Sequence, residues 1–153
     1  MQFLLFIQNF FYQMKSVVTA GRSKTDRILI VDDSPEILSI TEAILSSAGY
    51  ETIAYTEGLI ALQIMELLPP DLIILDVNMP QIDGFEMTRR IRSNSAWNLT
   101  PILLFTALDR SQAVFGLDCG ADDLLRKPVS IDELLGKVSL LLHSRHRQQL
   151  RAG

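Results

Sequence analysis

Three runs of four apolar residues, Ile28 to Val31, Leu72 to Leu75 and Ile102 to Phe105, stand in this chain without a polar interruption. Loss of the usual polar and apolar alternation suits strands covered on both faces, as in a parallel sheet. Each run stops on a reactive group: Asp32-Asp33, Asp76 and Thr106. Two shorter segments, Tyr50 to Ala54 and Asp123 to Arg126, read as further strands, and the second leads into Lys127-Pro128.

Helical spacing fills the intervals. Asp33-Ser34-Pro35-Glu36 opens a helix, with Asp33 or Ser34 able to cap and Pro35 suited to the first turn. Ile37, Leu38, Ile40, Ile44 and Leu45 recur at helical spacing, and Gly49 ends the element. Glu57 to Leu68 forms a second helix through Leu59, Leu62, Ile64 and Met65, closed by Pro69-Pro70. Gly84 to Arg92 is a third, with Asp83 as turn or cap residue, and Asp109 to Asp118 a fourth, ended by Gly120. Ser130 caps a fifth, with Ile131, Leu134, Leu135, Val138 and Leu141-Leu142 on its inner side. Five strands in strict alternation with five helices predict an α/β fold. Right-handed crossovers allow a doubly wound sheet of order 2-1-3-4-5, with strands one and three adjacent at the switch point.

A length of 153 residues with 48% hydrophobic content suits one domain with a full core. The expected division is an apolar extension and linker at 1–26, the domain at 27–143 and a basic tail at 144–153. A net charge of -4 argues against general nucleic-acid binding, which needs a basic face. The single cysteine, Cys119, excludes an internal disulfide and a cysteine-based zinc site; it reads as a small apolar filler in a reducing, cytoplasmic setting.

Residues 1–18 crowd Phe3, Leu4, Leu5, Phe6, Ile7, Phe10, Phe11 and Tyr12, but Gln8, Asn9, Gln13 and Lys15 break the run. It makes a poor membrane span and lacks the positive start of a secretory signal. An amphipathic helix lying on a membrane or a partner is one reading; translation from Met14 is the other. The far end carries Arg145, Arg147 and Arg151, which complement a helix dipole. His143 and His146 sit in that tail, expected to fray, with no acid beside them in sequence and no sign of a phosphodonor or ligand role.

At the rim, Asp32, Asp33 and Asp76 are expected to crowd together. Unit charges about 4 Å apart repel by roughly 4 kcal/mol at an effective dielectric near 20, so three carboxylates need a cation or a proton. Their hard oxygens, with no histidine or thiol, select Mg²⁺, with Mn²⁺ or Ca²⁺ as competitors. Lys127 and Thr106 supply a cation and a hydroxyl for the oxygens of a transferred group, and Asp76 is the candidate nucleophile. Singly, each residue has a plainer role as cap, turn residue or solvated charge. At the ends of strands one, three, four and five together, they form a specific arrangement.

The segments Ile28-Leu29-Ile30-Val31-Asp32-Asp33-Ser34-Pro35, Leu75-Asp76-Val77-Asn78-Met79-Pro80-Gln81-Ile82-Asp83-Gly84, Phe105-Thr106-Ala107, Gly120-Ala121-Asp122-Asp123 and Lys127-Pro128 resemble the receiver domain of two-component response regulators. The resemblance spans roughly Arg27 to Leu142. It implies a flavodoxin-like (βα)₅ three-layer sandwich that takes a phosphoryl group onto Asp76 from a histidine kinase or histidine phosphotransfer protein, assisting its own phosphorylation and dephosphorylation but acting as no enzyme otherwise. It further implies Asp32, Asp33 and Asp76 as Mg²⁺ ligands with the Asn78 backbone carbonyl, Thr106 as the switch hydroxyl, Lys127 on the phosphoryl oxygen, and a cis bond before Pro128. One departure stands out: three residues before the lysine the family carries Tyr or Phe, and here the residue is Leu124.

The expected function is that of a stand-alone receiver signalling through a downstream protein partner, by the face of helix four, strand five and helix five, without direct nucleic-acid contact. A phosphorylation-independent interaction module is the alternative suggested by Leu124. An aspartyl phosphohydrolase is disfavoured, because a leaving-group acid two residues after the nucleophile is required and Asn78 stands there.

Overall fold

The computed structural model describes residues 25–107 and 110–153, of which 110–113 by their backbone alone. The apolar extension anticipated at the amino end lies outside the described residues but for its last two, and Asp109, the expected start of the fourth helix, lies outside them too.

Along the chain follow β1 (Arg27–Val31), α1 (Pro35–Ser47), β2 (Glu51–Tyr55), α2 (Gly58–Leu67), β3 (Leu72–Asp76), α3 (Gly84–Ser93), β4 (Ile102–Thr106), α4 (Arg110–Asp118), β5 (Asp123–Arg126) and α5 (Ile131–Ala152). All strand pairs are parallel. Their order is β2-β1-β3-β4-β5, the expected doubly wound sheet. In β3 and β4 every residue is buried, which is why their sequences show no alternation.

Local chemistry sets the element ends. Ser34, not Asp33, caps α1 by accepting from the Ile37 amide; Asp83 caps α3 through Glu86 and Ser130 caps α5 through Glu133. Gly49 and Gly120 follow α1 and α4 with φ of +93° and +104°, values a side chain resists.

Two cores flank the sheet. Leu29, Val31, Ile73, Leu75 and Leu104 pack with Ala61 and Met65 of α2 and Met87 and Ile91 of α3. On the other side Ile28, Ile30, Leu72, Ile74, Leu103 and Phe105 pack with Leu38 and Leu45 of α1 and Leu134, Val138 and Leu142 of α5. Ile131, expected on the inner side of the last helix, faces water instead at 55% exposure, and Ile40 of the first helix's apolar series is 62% exposed. On α1 the buried stripe is Leu38, Thr41 and Leu45, so helix rotation is set by i, i+3, i+7 and not by hydropathy alone.

The basic tail is helical to Ala152 as part of α5, so the expected fraying is corrected. Arg145 donates to the Pro70 carbonyl and pairs with buried Asp71 at 3.5 Å, while His146 Nε2 lies 2.9 Å from Asp26 Oδ1. An acid therefore does stand beside one histidine, brought there by folding from 120 residues away.

Candidate functional site

Strand register assembles the site before any side chain is considered. Val31 pairs with Leu75, so the next residues, Asp32 and Asp76, leave adjacent strands at the same level. Asp76 itself pairs with Phe105, and Thr106 with Arg126, placing Thr106 and Lys127 at the same carboxyl edge. The Lys127 amide donates to the Thr106 carbonyl at 2.8 Å, and the Val77 amide to the Phe105 carbonyl at 3.2 Å. A one-residue slip would turn these groups to the opposite face.

Asp32, Asp76 and Thr106 are almost fully buried, at 3%, 4% and 2% exposure, whereas Asp33 is exposed. One carboxylate oxygen from each of Asp32, Asp33 and Asp76 lies within 4.8 Å of the others. Lys127 Nζ donates to Asp32 Oδ2 at 2.7 Å and to Asp76 Oδ1 at 3.2 Å. The same ammonium stands 5.5 Å from the centre of the Phe105 ring. Asp32 Oδ1 accepts from the Ser34 amide at 2.9 Å, leaving its second oxygen for the lysine.

Burial, followed by the charge of Asp32, raises Asp76 to about 6, although Lys127 pulls the other way. Burial by itself would lower Lys127, but hydrogen bonds and charge from Asp32 and Asp76 outweigh it and hold the lysine above its ordinary value. One ammonium thus fails to balance the acids it touches. The donors are hard oxygens close enough to share one small cation, and they fit Mg²⁺ on both counts.

Asn78 follows two residues after Asp76 and is exposed. The Lys127-Pro128 bond is cis, as the resemblance implied. Leu124 is partly buried against the core beneath α2 and α3, and its carbonyl accepts from Lys137 at 3.0 Å. Residue-level reading missed two neighbours of the site. Phe105 could have been suspected as the one aromatic preceding a rim hydroxyl. Gly84 left no sign beyond following a cap.

Comparison with known proteins agrees with the geometry. The response regulator receiver domain family matches residues 28–139. The chain is 38% identical over 122 residues to the DNA-binding dual master transcriptional regulator RpaA of a Synechocystis strain, covering 79% of this chain and 51% of that protein. It is 42% identical over 117 residues to response regulator MprA of a Mycobacterium strain, covering 76% and 50%. The chain therefore spans about half the length of the curated relatives it matches. Among solved structures, a putative response regulator from Chloroflexus aurantiacus superposes with a TM-score of 0.76 at 36% identity, covering 78% of this chain and 99% of that one. The Vibrio cholerae chemotaxis protein CheY4 does so with 0.73 at 34%, covering 77% and 99%. With its five-stranded parallel sheet and its acids gathered at one edge, this chain belongs to the receiver domains of two-component response regulators.

Proposed function

We propose that this receiver accepts a phosphoryl group from a histidine kinase or histidine phosphotransfer protein onto Asp76, in a Mg²⁺-dependent reaction, and signals by altered binding to a downstream protein. The observation that carries this is the meeting of Asp32, Asp33 and Asp76 within 4.8 Å, with Lys127 on two of the three. Such a cluster is costly in itself and is relieved by a cation that also attracts phosphate.

In the step proposed, an ionised oxygen of Asp76 attacks the phosphorus of a phosphohistidine. The P–O bond forms as the P–N bond breaks, and the electron pair of that bond returns to the donor's imidazole nitrogen. With its value near 6, Asp76 is mostly ionised at neutral pH and able to attack. Asp32, Asp33, Asp76 and the Asn78 carbonyl would hold Mg²⁺, which when bound neutralises the acids and shares a phosphoryl oxygen. Lys127 supplies a fixed positive charge for another oxygen, and the Thr106 hydroxyl a hydrogen bond at the same edge. On this reading the acyl phosphate on Asp76 is itself the signal, and its hydrolysis ends that signal.

The DNA-binding role named for RpaA belongs to that protein, and the matched part is half of it. For the present chain the sequence pI near 5.1 favours a protein partner over direct nucleic-acid contact. Among the described residues no helix is long and apolar enough to cross a membrane.

Incubation with acetyl phosphate and Mg²⁺, followed by a phosphate-retarding gel, tests the acceptor. An acid-stable, base-labile shifted band is expected, absent from Asp76→Asn and from Mg²⁺-free samples. An equal shift in Asp76→Asn would remove Asp76 from its role.

A further inference from the structure

Leu124 stands where the family resemblance leads one to expect an aromatic, and an aromatic contact elsewhere joins the site to α4. It starts at the backbone of the acceptor. The Gly84 amide, first in α3, donates to the Val77 carbonyl at 2.9 Å. There is no clearance at this point: a β-carbon on Gly84 would overlap the Asp76 carbonyl oxygen and come within 2.9 Å of Val77 Cα. The first turn of α3 therefore rests on the main chain of Asp76 and Val77.

Phe85 is the next residue. Its ring meets Phe115 of α4 edge to face, with centroids 5.1 Å apart and planes at 88°. One turn further along α3, the Arg89 guanidinium lies 5.8 Å from the Phe115 ring centre, so α3 brackets that ring from two sides. The neighbouring position on α4 is Gly116, where a β-carbon would stand 2.7 Å from Leu104 Cδ1 and 3.0 Å from Phe85 Cε1. Leu104 lies two residues before Thr106 on β4 and so shares its side of the sheet. Helix α4 is thereby seated on Phe85, the residue after Gly84, and on Leu104, two residues before the hydroxyl. Leu124 pairs with Leu104 on the neighbouring strand and packs against the same core, and its carbonyl is held by Lys137.

We propose that the Phe85–Phe115 pair, seated through Gly84 on the backbone of Asp76, transmits phosphorylation of the site to α4 in place of the missing aromatic at 124. This makes Phe85 a positioning residue of the switch, and it rests on Asp76 being the acceptor. A shift in the Asp76–Val77 backbone moves the first turn of α3, and the close aromatic contact obliges α4 to follow. Coupling between the two rings is measured by a double-variant cycle.

Hydrogen exchange of the α4 amides, read by mass spectrometry on the full chain with and without acetyl phosphate and Mg²⁺, gives that measure. The gel above is run in parallel to report how much Asp76 is phosphorylated. In the wild type, phosphorylation should change exchange in α4 at least tenfold. In Phe85→Leu and Phe115→Leu the change should fall at least threefold at equal phosphorylation. The double variant should lose no more than either single one, and Phe85→Tyr, which keeps the ring, should retain the response. An undiminished response in both leucine variants, additive losses, or a wild type whose α4 ignores phosphorylation would overturn the proposal. Failure of the wild type to become phosphorylated would instead overturn Asp76 as acceptor, and the gel tells the two apart.

Discussion

Lys127 Nζ stands 3.2 Å from Oδ1 of Asp76, the carboxylate proposed to receive the phosphoryl group, and nearer still to Asp32 at 2.7 Å. One amine thus holds together two buried acids from adjacent strands. Its position explains both the tolerance of the acid cluster and its incompleteness. The lysine offsets part of the repulsion, while Asp76 is still left well above an ordinary carboxylate.

Removing that amine should be costly and should change the appetite for cations. In Lys127→Met, Asp32 and Asp76 lose their shared partner. Breaking a buried charge pair from one side costs about 3 kcal/mol or more. Urea unfolding at pH 7 without divalent ions should show a loss of that order. Added Mg²⁺ should recover much of it, because the variant site is more negative by one charge, and its Mg²⁺ affinity should rise at least about tenfold over the wild type. Equal or weaker Mg²⁺ stabilisation in the variant would mean that the ion does not sit among these acids.

The raised value of Asp76 carries its own pH dependence. Its ordinary value is 3.8 and its folded value about 6, so between these limits the folded chain binds more protons at this site than the unfolded one. Stability contributed by Asp76 is therefore full below about pH 4, falls as pH rises through 6, and is flat above. Two pKa units correspond to about 3 kcal/mol. Unfolding of wild type and Asp76→Asn should be compared from pH 4 to 7.5 without Mg²⁺, since the difference isolates this residue from other titrating groups. The asparagine variant should gain on the wild type by about 2 to 3 kcal/mol across that range. Millimolar Mg²⁺ should erase most of the gain by favouring the ionised carboxylate. A constant difference at all pH values would show that Asp76 titrates normally.

Much of this was legible before folding because both the strands and the rim chemistry are written locally. An aliphatic run of four followed by an acid needs no distant information to be read as a buried strand with a functional end, and the register then follows from packing. What could not be read depends on surfaces assembled from remote segments. Ile40 and Ile131 have the hydropathy of core residues, but the rotation of α1 and α5 is decided by where β1, β3 and β4 lie, and both point outward. His146 meets Asp26, and Arg92 ties the carbonyls of Gly120 and Thr100 to the carboxylate of Asp122, through pairings with no trace in local sequence. The seat of α3 on Asp76 was hidden for the same reason: glycine after a cap is common, and only the folded chain shows what fills the missing side chain's place.

Gln81 stores strain beside the site. Its φ is +68°, the only positive value at a non-glycine among the described residues, and the Ile82 amide turns back to the Pro80 carbonyl at 2.8 Å. The tight turn brings Ile82 into the core, at 4% exposure, which offsets the conformational cost. A left-handed backbone costs a side-chain-bearing residue roughly 1 to 2 kcal/mol, and glycine avoids this at an unfolded-state entropy cost of about 0.5 to 1 kcal/mol. Gln81→Gly should therefore be slightly stabilising, by about 0.5 kcal/mol, and Gln81→Val should lose about 1 kcal/mol or more. Thermal melts of the three proteins should rank glycine, glutamine, valine; any other order would mean that the turn relaxes freely.

Gly84 offers the sharpest contrast between a crowded glycine and an idle one. A β-carbon there would meet the Asp76 carbonyl oxygen and Val77 Cα, both backbone, so no flexible side chain can yield. The helix must lift away from β3, and the hydrogen bond from the Gly84 amide to the Val77 carbonyl must lengthen. Overpacking of this kind costs about 1 to 3 kcal/mol, and displacement of a reacting group by about 1 Å can cost a hundredfold in rate. Gly84→Ala should thus lose roughly 2 kcal/mol and accept phosphate from acetyl phosphate at least tenfold more slowly. Gly136, within α5, faces open space, and Gly136→Ala should instead gain about 0.5 to 1 kcal/mol through helix propensity alone, with phosphorylation unchanged. Should both alanine variants fold and react like the wild type, the close seating of α3 on the acceptor strand would have no bearing on where Asp76 points.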